Sequence, residues 1–419
     1  MRCVEVLQSA IEENLTNIHA RRRAAVWLAV TALIMGGRCC LTALGRALPG
    51  STTEKHRIKT VDRLLGNAAL HGEIALFYSA IAELLLKNVK MPIIAVDWSG
   101  AGAHHEELSA KICSDGRALP LFSLVVAKNN LVRCNAHSEL LRQLSSILPA
   151  HCKPIFITDA GFHYNWFNEV RRYNWHYIGR IRGNHYVEFD GSGRLMSLKQ
   201  LHLRAGPTAR DLGRALVSIC HPRVERLVLA SQPRKKGRKR LGRKGKCRRS
   251  STDRASSKSA REPWVLATSL PDAAAKIVHA YSLRMQIEQS FRDRKNPRHG
   301  WSMRLTTTRS VERMAVLLLI ASLAELSVQL EGRATVVSIG SAGFQANTTR
   351  KRRVLSFLFL GCRACRTGVV HTVSQLRAAL RTLVRTISFN SKRFADNLTR
   401  PHRDRPSARA GRPHPSLAF

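Results

Sequence analysis

Four side chains that can bind phosphate or a metal ion recur at helical spacing: Tyr281, Arg284, Glu288 and Lys295. The stretch follows a helix start at Asp272 and contains no glycine or proline before Pro297, so the sequence predicts one continuous helix. At about 100° per residue, the four side chains fall within an arc of roughly 60°. A carboxylate among a phenol, a guanidinium and an ammonium group suits a metal ligand beside bound phosphate. The alternative is a solvated charged helix face.

Two predicted buried strands each end on an aspartate. Residues 92–96 are an apolar run followed by Asp97, and residues 154–158 are followed by Asp159. Active sites of open α/β sheets lie at the carboxyl ends of the strands. A single aspartate in this position is more often a turn former or a helix cap, but two of them together with Glu288 favour a catalytic site.

Three carboxylates on a sheet edge and a facing helix are typical of a two-metal site. Magnesium prefers oxygen ligands, and two ions about 4 Å apart can assist both the attacking and the leaving oxygen at phosphorus. In this hypothesis Asp97 binds both ions, Asp159 binds one and Glu288 the other. The cations of Arg284 and Lys295 would neutralise phosphate charge, and Tyr281 would donate a hydrogen bond to a phosphate.

The composition indicates a polyanionic partner. The chain of 419 residues carries 69 lysines and arginines and a formal net charge of +41. Nucleic acid is favoured over a membrane surface because no long amphipathic basic helix is evident. The apolar runs at residues 24–35 and 314–330 fall short of about 18 unbroken apolar residues, so we expect core helices and a soluble, cytoplasmic protein. Ten scattered cysteines, with one CxxC at Cys362 and Cys365, predict reduced thiols rather than a zinc site.

The order of predicted elements divides the chain into six segments. Residues 1–70 are predicted to be a helical DNA-binding domain, with a bundle that merely covers the next domain as the alternative. A mixed α/β core is predicted for residues 71–182 and 263–330. Between its two parts lies a β-rich insertion, residues 183–262, in which 11 of the 16 residues 234–249 are lysine or arginine. Residues 331–391 are predicted to be helical, and residues 392–419 to be a disordered basic tail.

These motifs resemble one family of enzymes. The spacing Tyr281, Arg284, Glu288, Lys295 is similar to the signature of hairpin-forming DDE cut-and-paste transposases of the bacterial insertion-sequence-four family. Further segments that resemble the family are residues 96–99, 158–162, 62–67, 262–268 and 344–347. The resemblance extends over roughly residues 1–360 and fades after residue 347, and the arginine- and proline-rich end is unlike the helical ending of the family.

The resemblance implies a ribonuclease-H-like core with a β insertion ahead of the catalytic glutamate. It implies nicking at the ends of a mobile element, a hairpin intermediate and joining of the 3′ ends to target DNA. Asp97, Asp159 and Glu288 would be the catalytic residues and the ligands of two Mg²⁺ ions, with Mn²⁺ able to replace them. Trp264 would stack on a flipped base, with core packing as the alternative, and Met285 would probe the vacated position.

By the same resemblance, the partners would be the terminal inverted repeats and the target DNA, bound by a homodimer in the bacterial cytoplasm, associated with the nucleoid. Two alternatives stay open from the sequence. One is a nuclease on the same core without strand transfer, and the other is a non-catalytic DNA-binding remnant.

Overall fold

A ten-stranded mixed sheet lies at the centre of the computed structural model, which describes residues 1–130, 135–189, 191–217, 223–231, 262–297, 300–346 and 353–395. The strands are β1 (Ile93–Ala101), β2 (His105–Ile112), β3 (Leu119–Ala127), β4 (Ile155–Thr158), β5 (His176–Ile181), β6 (Tyr186–Phe189), β7 (Leu195–Ser197), β8 (Arg210–Val217), β9 (Arg223–Ala230) and β10 (Trp264–Thr268). The basic run at residues 234–249, Asn347 and the tail from residue 396 lie outside the described residues.

The strand order is β3-β2-β1-β4-β5-β10-β9-β8-β6-β7. Strands β1, β4 and β5 are parallel, whereas β2 and β3 form an antiparallel meander with β1. The first five strands therefore give the mixed α/β sheet that the sequence predicted, in the order of a ribonuclease-H-like core. The predicted β insertion does not interrupt this sheet. Its strands β6 to β9 pair onto β10 and lengthen the same sheet at one edge.

Thirteen helices surround the sheet within the described residues: α1 (Arg2–Ile11), α2 (Ala20–Gly36), α3 (Leu41–Ala47), α4 (Glu54–Leu65), α5 (Ala68–Leu86), α6 (Ala136–Ile147), α7 (Tyr164–Arg172), α8 (Leu198–Leu203), α9 (Ala274–Ser282), α10 (Met285–Lys295), α11 (Val311–Ser338), α12 (Phe357–Arg366) and α13 (Val373–Ala395). Helices α5 and α8 and strands β6 and β7 were not predicted. Helix α13 continues through Lys392, where the sequence predicted the disordered tail to begin.

The prediction of one continuous helix from Asp272 to Pro297 is wrong. The chain forms two helices, α9 and α10, separated at Leu283 and Arg284. Both linking residues keep right-handed helical angles, but the backbone closes with short bonds, from Gln286 N–H to the Leu283 carbonyl (2.9 Å) and from Ile287 N–H to the Arg284 carbonyl (3.1 Å). This 3₁₀-like turn interrupts the α-helical hydrogen bonding without glycine or proline.

The two faces of the sheet are covered by different helices. On one face, Ile93, Ala95 and Ile157 pack with residues of α9 and α10, including Tyr281 and Ile287. The other face shares a single hydrophobic core with helices α1 to α7 and α11. The helices of residues 1–70 are therefore not a separately packed unit. Their contact with DNA stays a prediction.

Helix α11 is the central support of this bundle, packing against α1, α2, α5, α12, α13 and β3. By length and composition, two helices among the described residues could cross a membrane, α5 and α11, and the bent pair α2 and α3 would make a third. The apolar window of α11 is 94% buried inside the fold, as expected of the core helix that residues 314–330 predicted. The window of α5 is 50% buried.

Candidate active site

Asp97 and Asp159 are brought side by side by the pairing of two parallel strands. Strands β1 and β4 are in register up to the pair Val96 and Thr158, and each aspartate is the next residue. The Asp97 carboxylate accepts a hydrogen bond from the Trp98 backbone N–H at 2.9 Å. The Asp159 carboxylate accepts one from the Gly161 backbone N–H, also at 2.9 Å. The two aspartates thus lie at the same level of the sheet, but the prediction that each ends its strand is correct only for Asp159. Strand β1 continues past Asp97 to Ala101, because it stays paired with β2 over these residues.

Glu288 faces this edge because helix α10 is fastened to the turn between β2 and β3. The Gln286 side chain accepts from the Ser114 backbone N–H at 2.8 Å and donates to the Ser114 carbonyl at 2.9 Å. One turn later, the Ser290 hydroxyl donates to the Ala118 carbonyl at 2.7 Å. These bonds fix the rotation of α10, with Gln286 and Ser290 towards the turn and Glu288 towards the carboxylates.

Arg284 joins the helix to the strand. Its guanidinium donates to Asp97 Oδ2 at 3.4 Å and to Glu288 Oε1, four residues further along the chain. The side chain of Arg284 is 14% exposed, so this charge is shared between two carboxylates in a mostly buried position. Glu288 is more open, with 41% of its side chain exposed. Arg284 and Glu288 therefore come together as their spacing predicted.

The pKa of Asp97 is determined by burial and by several neighbouring charged groups. Burial raises the pKa of Asp97 to about 7, the Arg284 cation opposes that rise, and the Asp159 and Glu288 carboxylates add to it. Burial likewise raises the pKa of Tyr281 to about 12, against the pull of Arg284. Neighbouring carboxylates that disfavour each other's charge mark a place where a cation is stabilised.

Lys295 does not lie beside the three carboxylates with which the sequence analysis grouped it. It is half-buried, with its ammonium group 5.7 Å from the centre of the Phe291 ring. Burial lowers the pKa of Lys295. The charged groups near Lys295 include Glu107, Arg304 and Glu106, and they do not include Asp97 or Asp159. Glu106 and Glu107 pair with the last residues of β1, so Lys295 lies further along the site, beyond Asp97.

Trp264 and Met285 lie at the border of the site. The Trp264 ring packs edge to face on the Tyr281 ring, with 4.8 Å between ring centres, and it is half-buried. This packing is the alternative that the sequence left open for Trp264, and it leaves part of the ring accessible. Met285 is 45% exposed, and its sulfur accepts from the Arg284 guanidinium at 3.7 Å.

Arg180 is a further cation of the site that the sequence analysis missed. Strand β5 pairs with β4 up to Gly179 and Thr158, so Arg180 is the residue beside Asp159. It donates to Glu262 at 3.0 Å, burial lowers its pKa, and Tyr281 and Arg284 are among its electrostatic neighbours. The available signal was an arginine in the strand that follows the second aspartate along the chain, at the same level of the sheet.

A second missed feature is a buried ionic network behind the site. Arg294 donates to Glu107 at 2.9 Å and to Glu325 at 3.1 Å, and the Lys111 ammonium group lies 3.3 Å from Glu325. All four side chains are at most 1% exposed. Two cations and two carboxylates compensate each other, and the network ties α10 to β2 and α11. No local sequence pattern pairs residues so far apart along the chain.

The residues present fit a divalent cation by donor type, since the set consists of three carboxylates. Among the described residues, however, the three carboxylates do not all place an oxygen within 4.8 Å of one another. The Arg284 guanidinium lies between two of them instead. The arrangement provides hard oxygen donors, a cation that balances their charge, and further basic groups on both sides, which suits a site for a negatively charged phosphodiester.

Comparison with known families identifies the class of protein. The family described as "Transposase DDE domain" matches residues 89–324, more than half of the chain and including Asp97, Asp159 and Glu288. The chain belongs to this family. It is therefore a DNA transposase, of a class that cuts and joins DNA strands with divalent metal ions.

Among solved structures, the chain is similar to the piggyBac transposase, determined by cryo-electron microscopy as a synaptic complex with hairpin DNA. The two share 10% sequence identity with a TM-score of 0.41, and the alignment covers 96% of this chain and 79% of that one. No match was found among curated proteins.

Proposed function

We propose that this protein is a cut-and-paste transposase of the insertion-sequence-four type, which excises a mobile element through a DNA hairpin. Asp97, Asp159 and Glu288 are its catalytic carboxylates. The observation that carries the proposal is the convergence of these groups: the register of β1 and β4 aligns the aspartates, and Arg284 links Asp97 to Glu288. A solvated charged helix face does not account for this arrangement, because Arg284 is 14% exposed and contacts the strand as well as its own helix.

The three carboxylates would hold two Mg²⁺ ions, with Mn²⁺ able to replace them. When bound, such ions activate an attacking oxygen and stabilise the leaving oxygen in displacement at phosphorus. The chain's own residues position the DNA. Arg284 and Arg180 lie beside the carboxylates and would balance the phosphate charge, and Lys295 would contact the backbone further along the groove. Tyr281 keeps its proton at neutral pH and would donate to a phosphate oxygen.

The hairpin step would use the border residues. A freed 3′-hydroxyl attacks the opposite strand, and the tight turn of the DNA requires a base to leave the stack, at a cost of a few kcal/mol. The accessible part of the Trp264 ring would receive that base, and the exposed Met285 side chain would occupy the position it leaves. Stacking on an aromatic ring offsets the cost of extruding the base.

The partners of this activity would be the terminal inverted repeats and the target DNA. The net charge of +41 supports binding of long polyanions, and synapsis of two ends would require a homodimer. Residues 1–70 and the basic stretches of residues 234–249 and 392–419 would contribute DNA contacts. The protein would act in the bacterial cytoplasm, on the nucleoid.

The test is a cleavage assay on DNA that carries the inverted repeats flanking the reading frame, with Mg²⁺ or with a chelator. Wild type is compared with Glu288→Gln and with Glu13→Gln, which changes an exposed glutamate on the N-terminal bundle. Denaturing gels separate nicks, hairpins and joined products. We expect Mg²⁺-dependent hairpins from wild type and Glu13→Gln and none from Glu288→Gln, with equal DNA binding by all three.

Two other outcomes contradict the proposal. Nicks without hairpins or joined products indicate a nuclease on the same core. Binding of the ends without cleavage by the wild type indicates a non-catalytic remnant.

A further inference from the structure

Three ligand-type side chains that are not part of the candidate active site meet where α1, α11 and α12 come together. The Cys3 and Cys365 sulfurs and a Glu331 carboxylate oxygen all lie within 4.8 Å of one another. Cys3 is fully buried, Glu331 is 5% exposed and Cys365 is half-buried. No other group of three such residues within the described part of the chain meets this distance.

The group is assembled by tertiary packing rather than by the CxxC sequence. Cys362 belongs to the same CxxC, but it lies in the hydrophobic core and is not a member of the group. Glycines allow α11 and α12 to approach closely. A Cβ atom on Gly332 would lie 1.9 Å from the Phe357 carbonyl oxygen, and one on Gly361 would lie 1.9 Å from the Val328 carbonyl oxygen. This close crossing is what brings Cys365 to Glu331.

His371 completes the surroundings of Glu331. Its Nε2 atom lies 3.5 Å from Glu331 Oε1, and the ring is 3% exposed. His371 supports the carboxylate rather than joining the group, because its ring nitrogens do not lie within 4.8 Å of all three ligand atoms. The ring is also held by hydroxyl groups, with Thr335 at 3.0 Å from Nε2 and Ser338 at 3.4 Å from Nδ1.

We propose that Cys3, Cys365 and Glu331 bind a zinc ion that fastens the first helix of the chain to α11 and α12, with His371 held against the Glu331 carboxylate. Two thiolates and a carboxylate are ligands that zinc accepts, and water would take the fourth tetrahedral position. Magnesium is excluded as the occupant because it takes oxygen ligands. The site joins positions 3 and 365, so it would restrain almost the whole length of the chain.

The test uses full-length protein purified under reducing conditions, freed of metal and titrated with zinc against a chromophoric chelator. We expect one zinc ion per chain. Cys3→Ser, Cys365→Ser and Glu331→Gln should each weaken zinc binding by about 100-fold or more, and His371→Asn by about 10- to 100-fold. Cys362→Ser, in the same CxxC as Cys365 and buried like Cys3, is the matched control and should bind zinc like the wild type.

Cobalt substitution provides an independent spectroscopic readout of the ligands. Thiolate-to-cobalt charge-transfer absorption and intense d–d bands indicate a tetrahedral site with sulfur ligands, and the charge-transfer band should fall by about half in Cys365→Ser. Zinc should also raise the unfolding temperature of the wild type and leave that of Cys365→Ser unchanged.

The proposal is overturned by less than one zinc per chain, by cobalt binding without thiolate absorption, or by equal loss in Cys362→Ser. A Cys3–Cys365 disulfide found by mass spectrometry in metal-free protein purified without reductant, together with no zinc uptake after reduction, also overturns it.

Discussion

Arg284 contacts the carboxylates of both Asp97 and Glu288, so a single guanidinium links the first strand of the core to the helix opposite it. The side chain is 14% exposed, and burial raises the pKa of Asp97 while this cation opposes the rise. Arg284 thus balances charge at the centre of the candidate site, and its removal should affect chemistry more than DNA affinity.

We predict that Arg284→Gln lowers the single-turnover cleavage rate by about 10²- to 10³-fold, the usual effect of losing one group that stabilises developing charge. Arg284→Lys should recover part of the rate, because an ammonium group keeps the charge but not the planar fork that reaches two carboxylates. The rate is measured on pre-nicked and intact end DNA at saturating enzyme.

Arg292→Gln is the matched control, since Arg292 is an exposed arginine on the same helix. Equal losses of cleavage in the two variants would mean that general basic charge on α10 matters, and not the bridge between Asp97 and Glu288. Electrophoretic mobility shifts should show unchanged DNA binding for Arg284→Gln.

Substitution of Trp264 should change the rate of hairpin formation without changing the rate of the first nick. Its ring packs on Tyr281 and is half-buried, so part of it remains accessible to a base. Loss of base–aromatic stacking costs about 1–3 kcal/mol per base, or roughly a 5- to 150-fold change in rate. We predict that Trp264→Ala slows hairpin formation by this factor with little effect on the first nick, and that Trp264→Phe is intermediate. Both rates come from the same denaturing gels.

Tyr173→Ala is the control, because Tyr173 is a partly exposed ring stacked on another aromatic, Trp175, on a different part of the fold. A parallel fall of nicking and hairpin formation in Trp264→Ala would assign Trp264 to the packing of Tyr281 instead of to the DNA.

The core strands and two of the three carboxylates could be predicted because their signals are local. Continuous apolar runs before Asp97 and Asp159 indicate buried strands, and the carboxyl ends of parallel strands meet at one edge. The break at Leu283 could not be predicted, since it contains no glycine or proline and arises from a short 3₁₀-like turn. Strands β6 and β7 could not be predicted because they are only four and three residues long, too short to show an alternating pattern.

Contacts between distant residues were the other part that the sequence could not supply. Arg180 joins the site through strand register, and Cys3 meets Cys365 through the packing of three helices. The CxxC motif by itself does not indicate that Cys365 meets Cys3. Each of these relationships depends on the completed fold and leaves no periodic pattern along the chain.

We predict a large fall in the free energy of unfolding when one member of the buried ionic network is removed. Arg294 bonds to Glu107 and Glu325, and both carboxylates would lose a partner in Arg294→Met. Leaving buried charges uncompensated costs about 3–5 kcal/mol in the free energy of unfolding. Urea denaturation followed by circular dichroism measures this as a shift of the midpoint at constant slope.

Arg46→Met is the comparison, because Arg46 forms an ion pair with Glu54 in which both side chains are more than half exposed. It should leave the free energy of unfolding unchanged within error. A loss in Arg294→Met no larger than that of Arg46→Met would contradict the assignment of the network as a support of α10.

The buried side chain of His137 should make the free energy of unfolding depend on pH. Its Nε2 atom accepts a hydrogen bond from the Trp98 indole N–H at 3.3 Å, and its ring stacks on Phe162 at 4.8 Å. Burial lowers the pKa of His137 from 6.5, with Glu169 opposing the shift and His163 adding to it. The unfolded chain therefore takes up this proton at a higher pH than the folded chain does. Below about pH 6.5 the contribution of His137 to the free energy of unfolding should therefore fall as the pH falls.

His137→Gln isolates this contribution, since glutamine can still accept from Trp98 but does not titrate. We expect the wild type to lose more stability than His137→Gln between about pH 7 and pH 5.5, measured by urea denaturation at each pH. His104→Gln, at an exposed position, should follow the wild type. If His137→Gln also follows the wild type over this range, His137 is protonated in the folded protein, and its burial between Trp98 and Phe162 does not keep it neutral.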